Sequence, residues 1–364
     1  MTQRACITGW GKCLPPACLT NHDLATVLDT SDEWIRSRTG IGSRRISHVV
    51  TSELARVAAE RALAAAAVGP LDIDCLIFAT CTPDTLVPCA AAELQRKLGC
   101  INAATFDLNS GCTGFVYALA NAAGLIASGQ QQRILVVAAE RLTFYLDWTQ
   151  RDVAVLFGDG AGAAIIEADK QTDAGILAWS IGCDGTAADA LKVADFGANP
   201  NNRRGSAPFD FTFDGKEIYR NAVRGMADTS RETLAKANLK LDDVDLVIPH
   251  QANLRIIEAV ARALQLTAPP FTNIEHYGNT SAASIPIALC EALEQGCVDA
   301  DQLILLTAFG AGLTRASMLV RWGPRTTPLD QPAATLAACD STGLELIAPT
   351  LAACRKQRAV NSSH

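Results

Sequence analysis

A cysteine that could act as a nucleophile lies in "FDLNSGCTGF", residues 106–115, where an apolar strand pattern gives way to a helical one. Apolar residues follow Cys112 with helical spacing at Phe115, Leu119, Ala122, Ala123 and Ile126. The thiol is therefore predicted at a helix N-terminus, where free N–H groups and the helix dipole favour a thiolate. The alternative is ordinary packing, because the chain has 13 cysteines and free cysteine is usually buried and inert.

A cysteine nucleophile needs a partner that handles protons, and the chain offers few histidines. They are His22, His48, His250, His276 and His364. His250 ends the apolar strand in "LVIPHQAN", and Asn279 follows a glycine in "YGNTSAAS". A single histidine at a strand end is ordinarily structural. Its position relative to Cys112 therefore decides whether it is a catalytic candidate.

An internal duplication relates these three residues. The segment 72–83, "DIDCLIFATCTP", resembles 243–253, "DVDLVIPHQAN", and each is followed about sixty residues later by another apolar strand. Aligning the intervening strand–turn–helix units sets Gly111-Cys112-Thr113 opposite Gly278-Asn279-Thr280. Two pseudo-symmetric α/β halves, residues 1–170 and 171–322, would bring the three side chains to one central site. A chance likeness between two α/β halves is the alternative.

Composition limits the kind of protein. A chain of 364 residues exceeds the usual size of one domain, which favours two packed halves. A net charge of −7 argues against general nucleic-acid binding. The apolar runs are too short to span a membrane, and the N-terminal segment lacks a signal-peptide pattern. The cysteines lie in apolar segments without a C-x-x-C pair, so we expect reduced thiols, a cytoplasmic location and no metal site.

The composition changes after Trp322. Residues 323–364 are rich in Pro, Thr and Ala and contain a short imperfect repeat, "AATLAAC" and "PTLAAC". We expect a C-terminal extension of unknown role that is either loosely ordered or packed on the surface.

Six motifs in order give the chain a recognisable family character over residues 1 to about 322. They are "TSDEWIRSRTGI" (30–41), "NSGCTGF" (109–115), "FGDGAGA" (157–163), "PHQANLRII" (249–257), "YGNTSAAS" (277–284) and "AFGAGLT" (308–314). With them the chain resembles the β-ketoacyl-acyl carrier protein synthase III family of the thiolase superfamily. The resemblance implies a thiolase-like five-layered αβαβα fold, a homodimer and a catalytic triad of Cys112, His250 and Asn279.

The resemblance also implies a reaction that initiates fatty-acid synthesis. Cys112 would accept an acyl group from acyl-CoA, a substrate and not a cofactor, with N–H groups of Cys112 and Ala311 stabilising the oxyanion. Malonyl-acyl carrier protein would then lose carbon dioxide, with His250 and Asn279 stabilising the enolate. Attack on the acyl-cysteine gives a β-ketoacyl-acyl carrier protein. Phe309 would shape the cavity, with ordinary core packing as its alternative.

Substrate contacts are implied by the same resemblance. Trp34 and Arg151 would sandwich the CoA adenine, with Arg38 near the phosphates. The tunnel mouth would be flanked by Arg220, Asn253 and Arg255. Seven arginines would form a basic surface patch that attracts an acidic carrier protein. They are Arg36, Arg38, Arg44, Arg45, Arg220, Arg224 and Arg255.

Departures from the family pattern bear on specificity. Val87 stands where acetyl-selective members commonly have phenylalanine, near the dimer interface and the end of the acyl pocket. The smaller side chain predicts acceptance of longer, medium-chain or branched primers. Arg315 and Ala316 replace a common Trp-Gly pair, and Asp152 replaces a small residue beside the adenine-binding arginine.

Several other functions remain to be weighed. A degradative thiolase is disfavoured because no cysteine lies in the last glycine-rich turn, "TAFGAGLTR". A papain-like hydrolase does not fit the duplicated α/β pattern, and a non-catalytic scaffold does not fit an intact triad. A specialised ketosynthase or acyltransferase of secondary metabolism, using the same triad on another acceptor, stays open.

Overall fold

The strands and helices are described for residues 4–169, 173–194 and 211–361 of a computed structural model. The strands are β1 (Arg4–Cys13), β2 (Cys18–Thr20), β3 (Ser43–Arg45), β4 (Cys75–Ala79), β5 (Ala104–Leu108), β6 (Arg133–Glu140), β7 (Gly160–Asp169), β8 (Gly175–Cys183), β9 (Leu191–Val193), β10 (Phe211–Phe213), β11 (Leu246–Pro249), β12 (Leu303–Gly310) and β13 (Thr314–Arg321). The helices are α1 (Asn21–Ala25), α2 (Asp32–Thr39), α3 (Thr51–Ala66), α4 (Ala90–Leu98), α5 (Gly114–Ala127), α6 (Arg151–Ala154), α7 (Gly215–Lys236), α8 (Leu254–Leu264), α9 (Ile274–Tyr277), α10 (Ser284–Glu294) and α11 (Gly343–Asn361).

Two mixed sheets carry the architecture. The first has the order β1-β7-β6-β4-β5 and takes its strands from residues 4–169. The second has the order β11-β12-β13-β8 and takes its strands from residues 175–321. In the first sheet β4 runs parallel to both β5 and β6, and in the second β11 runs parallel to β12. Each sheet therefore repeats a parallel core with antiparallel strands beside it.

Both faces of the first sheet are buried, as β6 illustrates. Ile134 and Val136 join the cluster between the two sheets, whereas Leu135 and Val137 join the cluster on the outer face. Such alternation follows from the two-residue period of a strand. Burial on both faces explains why "ILVVAA" is apolar throughout.

Helices fill the three remaining layers. The alanine-rich α5 and α10 lie between the sheets, where most residues of α5 and nearly all residues of α10 are buried. On the outside, α3 and α4 cover the first sheet, and α7 covers the second with α8 packed against it. The result is the five-layered αβαβα fold with two pseudo-symmetric halves, as predicted from the sequence.

The C-terminal extension is packed against the body. Leu329 donates its N–H to the carbonyl of Ala65 at 3.1 Å, which ties the segment to α3. In α11 the side chains of Ile347, Leu351 and Cys354 are buried. Of the two expected alternatives, the packed one is correct.

Thirteen cysteines are present as free thiols. Among the described residues no helix is both long and apolar enough to span a bilayer.

Candidate functional site

Cys112 lies in a one-turn 3₁₀ segment, Gly111–Thr113, directly before α5. Gly111 has φ +56°, and a Cβ there would come within 3.2 Å of the Ala311 nitrogen. A Cβ on Gly310 would lie 2.7 Å from the nitrogen of Cys112. The nucleophile turn and the glycine turn after β12 therefore meet backbone to backbone. This contact sets the N–H groups of Cys112 and Ala311 in neighbouring turns, where an oxyanion site was predicted.

His250 is held by its backbone and by one ring nitrogen. Its N–H donates to the carbonyl of Thr307 at 2.8 Å, which continues the pairing of β11 with β12. Its Nδ1 lies 2.6 Å from Oγ of Ser284, and the same oxygen accepts the N–H of Gln251 at 3.4 Å. The Ser284 hydroxyl can donate its one proton to Nδ1 while its oxygen accepts from Gln251. This arrangement favours the tautomer with the proton on Nε2.

Asn279 is oriented by its own side-chain oxygen. Its Oδ1 accepts the N–H of Ser281 at 2.8 Å. The backbone is fixed on both sides, since its N–H donates to Leu156 at 2.8 Å and its carbonyl accepts from Gly158 at 3.0 Å. With Oδ1 occupied, Nδ2 is the atom left to act as a donor.

The structural correspondence between the two turns is shifted by three residues from the correspondence predicted by aligning the sequences. Helix α5 begins five residues after Asn109, and α10 begins five residues after Asn279. Each asparagine Oδ1 accepts the N–H two residues later, from Gly111 at 3.3 Å and from Ser281 at 2.8 Å. Both of these donors have positive φ, +56° and +52°. Asn279 is thus the counterpart of Asn109, and the expected pairing with Cys112 is wrong.

Burial dominates the electrostatics of the site. It raises the pKa of the Cys112 thiol to about 11. Burial also lowers the pKa of His250 to about 3. The resting pair is a neutral thiol beside a neutral imidazole, and not the thiolate that the helix N-terminus alone predicts. Loss of hydration outweighs the helix dipole because the thiol is enclosed.

The predicted residues converge on one cavity of about 1050 Å³. Its lining includes the three triad residues together with Trp34, Arg38, Asn253, Arg255 and Phe309. Arg151, which is not part of this lining, places its guanidinium 4.5 Å from the centre of the Trp34 ring, and the guanidinium of Arg38 lies 4.9 Å from the same centre. Two guanidinium groups therefore lie against the ring of Trp34, which lines the cavity.

Not every predicted residue lines this cavity. Val87 is 83% exposed and does not line the cavity of its own chain. Arg220 pairs with Glu217 at 2.5 Å and is also absent from the lining. Arg44 is fully buried and donates hydrogen bonds to the carbonyl groups of Leu19 and Val155 and to Oδ1 of Asn21. Its predicted place in the basic surface patch is therefore wrong.

Sequence reasoning missed three buried polar residues near the triad. Ser281 and Ser284 stand in the "NTSAAS" motif itself, and Glu140 ends β6. A charged residue directly after a wholly apolar strand was a signal that could have pointed to Glu140. In the described parts of the chain, no three His, Cys, Asp or Glu side chains are grouped to hold a metal ion.

Comparison with known proteins agrees with this geometry. A model of 3-oxoacyl-[acyl-carrier-protein] synthase III matches residues 106–185, and its C-terminal counterpart matches residues 234–322. The chain is 51% identical to β-ketoacyl-[acyl-carrier-protein] synthase III 2 of Vibrio cholerae, over 97% of this chain and 98% of the relative. It is 45% identical to a synthase III of Geobacillus kaustophilus, over 87% and 98%. The first alignment includes most of the C-terminal extension.

Solved structures give the same result. The crystal structure of 3-oxoacyl-[acyl-carrier-protein] synthase III from Aquifex aeolicus superposes with a TM-score of 0.82 at 42% identity, covering 87% of this chain and all of that one. The priming β-ketosynthase of the R1128 polyketide pathway superposes with a TM-score of 0.82 at 34% identity, covering 91% and 98%. The chain therefore belongs to the 3-oxoacyl-[acyl-carrier-protein] synthase III family of condensing acyltransferases.

Proposed function

We propose that the protein transfers an acyl group from acyl-CoA to Cys112 and condenses it with malonyl-acyl carrier protein. The products are a β-ketoacyl-acyl carrier protein, CoA and carbon dioxide, which initiates fatty-acid synthesis in the cytoplasm. One observation carries the proposal. Cys112, His250 and Asn279 line one cavity, and the hydrogen bonds that hold His250 and Asn279 leave Nε2 and Nδ2 as donors.

In the first half-reaction the sulfur of Cys112 attacks the thioester carbonyl carbon. The new carbon–sulfur bond forms as the bond to the CoA sulfur breaks, and the proton of the Cys112 thiol ends on the CoA sulfur. Negative charge on the carbonyl oxygen is stabilised by the N–H groups of Cys112 and Ala311. Their turns pack so closely that a Cβ added to Gly310 would lie 2.7 Å from the Cys112 nitrogen, so the site needs little reorganisation.

In the second half-reaction malonyl-acyl carrier protein loses carbon dioxide, and charge develops on the thioester oxygen. His250 and Asn279 donate hydrogen bonds to that oxygen. A neutral imidazole suits this role, because burial keeps the pKa of His250 near 3 and the ring donates from Nε2 without carrying a charge. The carbanion then attacks the acyl carbon on Cys112, and the bond from that carbon to sulfur breaks to release the Cys112 thiolate, which takes up a proton from water.

Val87 supports a proposal about the primer. Val87 and Leu86 are exposed in the single chain, and β5 leaves one edge of the first sheet unpaired among the described strands. Exposed strand edges pair readily with a second copy. A homodimer formed along β5 would cover this surface and bring Val87 to the partner's acyl pocket. There an isopropyl group in place of a phenyl ring favours medium-chain or branched acyl groups.

A second candidate is priming of a polyketide or other secondary metabolite with the same chemistry. It is favoured by the likeness to the R1128 priming β-ketosynthase over nearly the full length of both chains. The two candidates differ in the carrier protein that accepts the acyl group. Paired assays with the carrier proteins of each pathway distinguish them.

The test follows the acyl group. Incubation with acyl-CoA and peptide mass spectrometry should locate it on Cys112, and malonyl-acyl carrier protein should then remove it with release of carbon dioxide. Acylation of a different cysteine, or full activity in Cys112→Ser, would overturn the proposal.

A further inference from the structure

A surface groove lies between the catalytic cavity and the C-terminal extension. The groove has a volume of about 510 Å³, and its lining includes Arg151 and Asp152 of α6, Phe213 of β10 and Arg358 of α11. Asp152 and Phe213 also line the catalytic cavity, so the two spaces adjoin. Of the described residues, Cys112 lines the cavity but not the groove. A group bound in the groove is therefore close to the cavity but apart from the nucleophile.

Arg358 reaches the groove because it lies on the face of α11 that packs against the body. Ile347, Leu351 and Cys354 form the buried part of that face, and Arg358 is the next residue at the same helical spacing. Its Nη2 donates to Oδ2 of Asp147 at 3.3 Å. The Asp147 side chain is 7% exposed, whereas the Arg358 side chain is 53% exposed. The extension thus holds a partly exposed cation at the groove.

Arg151 connects the groove to an aromatic ring. Its guanidinium lies 4.5 Å from the centre of the Trp34 ring, and its Nη1 donates to the carbonyl of Asp29 at 3.1 Å. Aromatic rings and guanidinium planes are the groups on which nucleic-acid bases stack. In acyl-CoA, the substrate of the proposed function on which this inference rests, the adenine is the only such base. We therefore expect the adenine at Trp34 and Arg151.

The place of the adenine decides which other part of CoA reaches the groove. The 5′ oxygen of the ribose leads through the diphosphate and the pantetheine arm to the thioester, which must lie at Cys112. The 3′ oxygen carries a phosphate that leads nowhere further. With the adenine at Trp34 and the arm in the cavity, this phosphate is the group that branches outward beside Arg151. We propose that Arg358 of the C-terminal extension binds the 3′-phosphate of CoA.

The charges of the groove define how the phosphate is held. Asp29 and Asp152 line the groove together with Arg151 and Arg358, so these four formal charges cancel. A phosphate is therefore not attracted by a net positive field, and its binding depends on direct hydrogen bonds from a guanidinium, whose planar fork matches phosphate oxygens. Oδ1 of Asp152 lies 3.9 Å from Nε of Arg151, where its negative charge opposes the phosphate.

Titration calorimetry with free CoA and with 3′-dephospho-CoA tests the inference without any turnover, because the two ligands differ only in this phosphate. The wild type should bind CoA about 5- to 20-fold more tightly, as expected for charge-assisted hydrogen bonds at a partly exposed site. In Arg358→Gln this preference should fall to about twofold or less, because the Kd of CoA rises and that of dephospho-CoA does not. Arg358→Lys keeps the charge without the fork and should show an intermediate preference.

Two other variants fix the interpretation. Arg355→Gln is the matched control, because Arg355 lies on the same helix and donates to the carbonyl of Val27 at 2.9 Å but does not line the groove. It should leave the preference for CoA unchanged. Asp152→Asn should act in the opposite direction and raise the preference about two- to threefold, since it removes a negative charge from beside the phosphate. A lower preference in Asp152→Asn would contradict the inference.

The ratio of the two dissociation constants separates phosphate binding from a structural role of Arg358. If Arg358 only fixes α11 to Asp147, its loss weakens both ligands by the same factor, and that result overturns the inference. A wild type that binds CoA and dephospho-CoA equally tightly overturns it without any variant and leaves the proposed function standing. Binding of neither ligand to the wild type overturns the proposed function and the inference together.

Discussion

Replacing Ser284 by alanine should impair condensation while sparing acylation. The Ser284 hydroxyl holds Nδ1 of His250 at 2.6 Å and accepts the N–H of Gln251. Alanine leaves a buried imidazole nitrogen without this partner and removes the preference for a proton on Nε2. Only the enolate step needs that proton, so the two half-reactions should respond differently.

The size of the effect follows from the burial of the pair. His250 and Ser284 are each about 2% exposed, so water does not replace the lost hydroxyl. Leaving one buried polar group unpaired costs about 1–3 kcal/mol. If that loss falls on the transition state for decarboxylation, the rate drops about 5- to 150-fold. Stability should fall by an amount in the same range, because the folded state carries the unpaired nitrogen.

The assay uses enzyme that already carries the acyl group. Condensation is followed by rapid mixing with malonyl-acyl carrier protein, acylation is measured separately, and unfolding in urea gives the change in stability. Ser230→Ala is a matched control, because Ser230 is fully buried and its Oγ has no hydrogen-bond partner among the described residues. Unchanged condensation, or equal slowing of both steps, would refute the assigned role of Ser284.

Four further predictions concern the triad, the primer, the extension and pH. His250→Ala and Asn279→Ala should each still acylate but condense about 100- to 1000-fold more slowly, and loss of acylation in both would contradict the division of roles. Val87→Phe should shift kcat/KM from hexanoyl- and isobutyryl-CoA toward acetyl-CoA; a strict acetyl preference in both proteins would exclude the primer proposal. Leu351→Ala should destabilise the fold by about 2–4 kcal/mol in urea unfolding with little change in kcat, and an effect on kcat alone would contradict a packing role. Because burial lowers the pKa of His250 to about 3, the free energy of unfolding should fall by up to about 1.4 kcal/mol per pH unit below pH 6.5, and His250→Asn should flatten that slope.

Much of the architecture was predictable because its signals are local. The apolar run 134–139 and the helical spacing after Cys112 both reflect burial against neighbours on known sides. The repeated strand–turn–helix units therefore predicted two α/β halves, whereas the five αβαβα layers were implied by the family resemblance. The packing of residues 323–361 was harder to predict from the sequence, because α11 buries only one narrow face against the rest of the protein.

The site was predictable as a set of residue types but not in its register or its charge. Aligning glycines paired Gly111 with Gly278, whereas backbone conformation pairs Gly111 with Ser281. A positive φ at a serine leaves no mark in the sequence. The position of Arg44 was equally hard to predict. Arginine is usually exposed, but this side chain is buried and bridges two carbonyl groups.

The amino-acid order alone specified which chemical groups are available, which strands and helices form, and which turns follow them, since these depend on residues close in the chain. Tertiary structure decided the properties that depend on enclosure. Burial in the folded protein raises the pKa of Cys112 and lowers that of His250. Folding also brings Glu140 into contact with Ser281, 141 residues away in the sequence. The free energy of a charge depends on the water and dipoles around it, and those are assembled only when distant segments pack together.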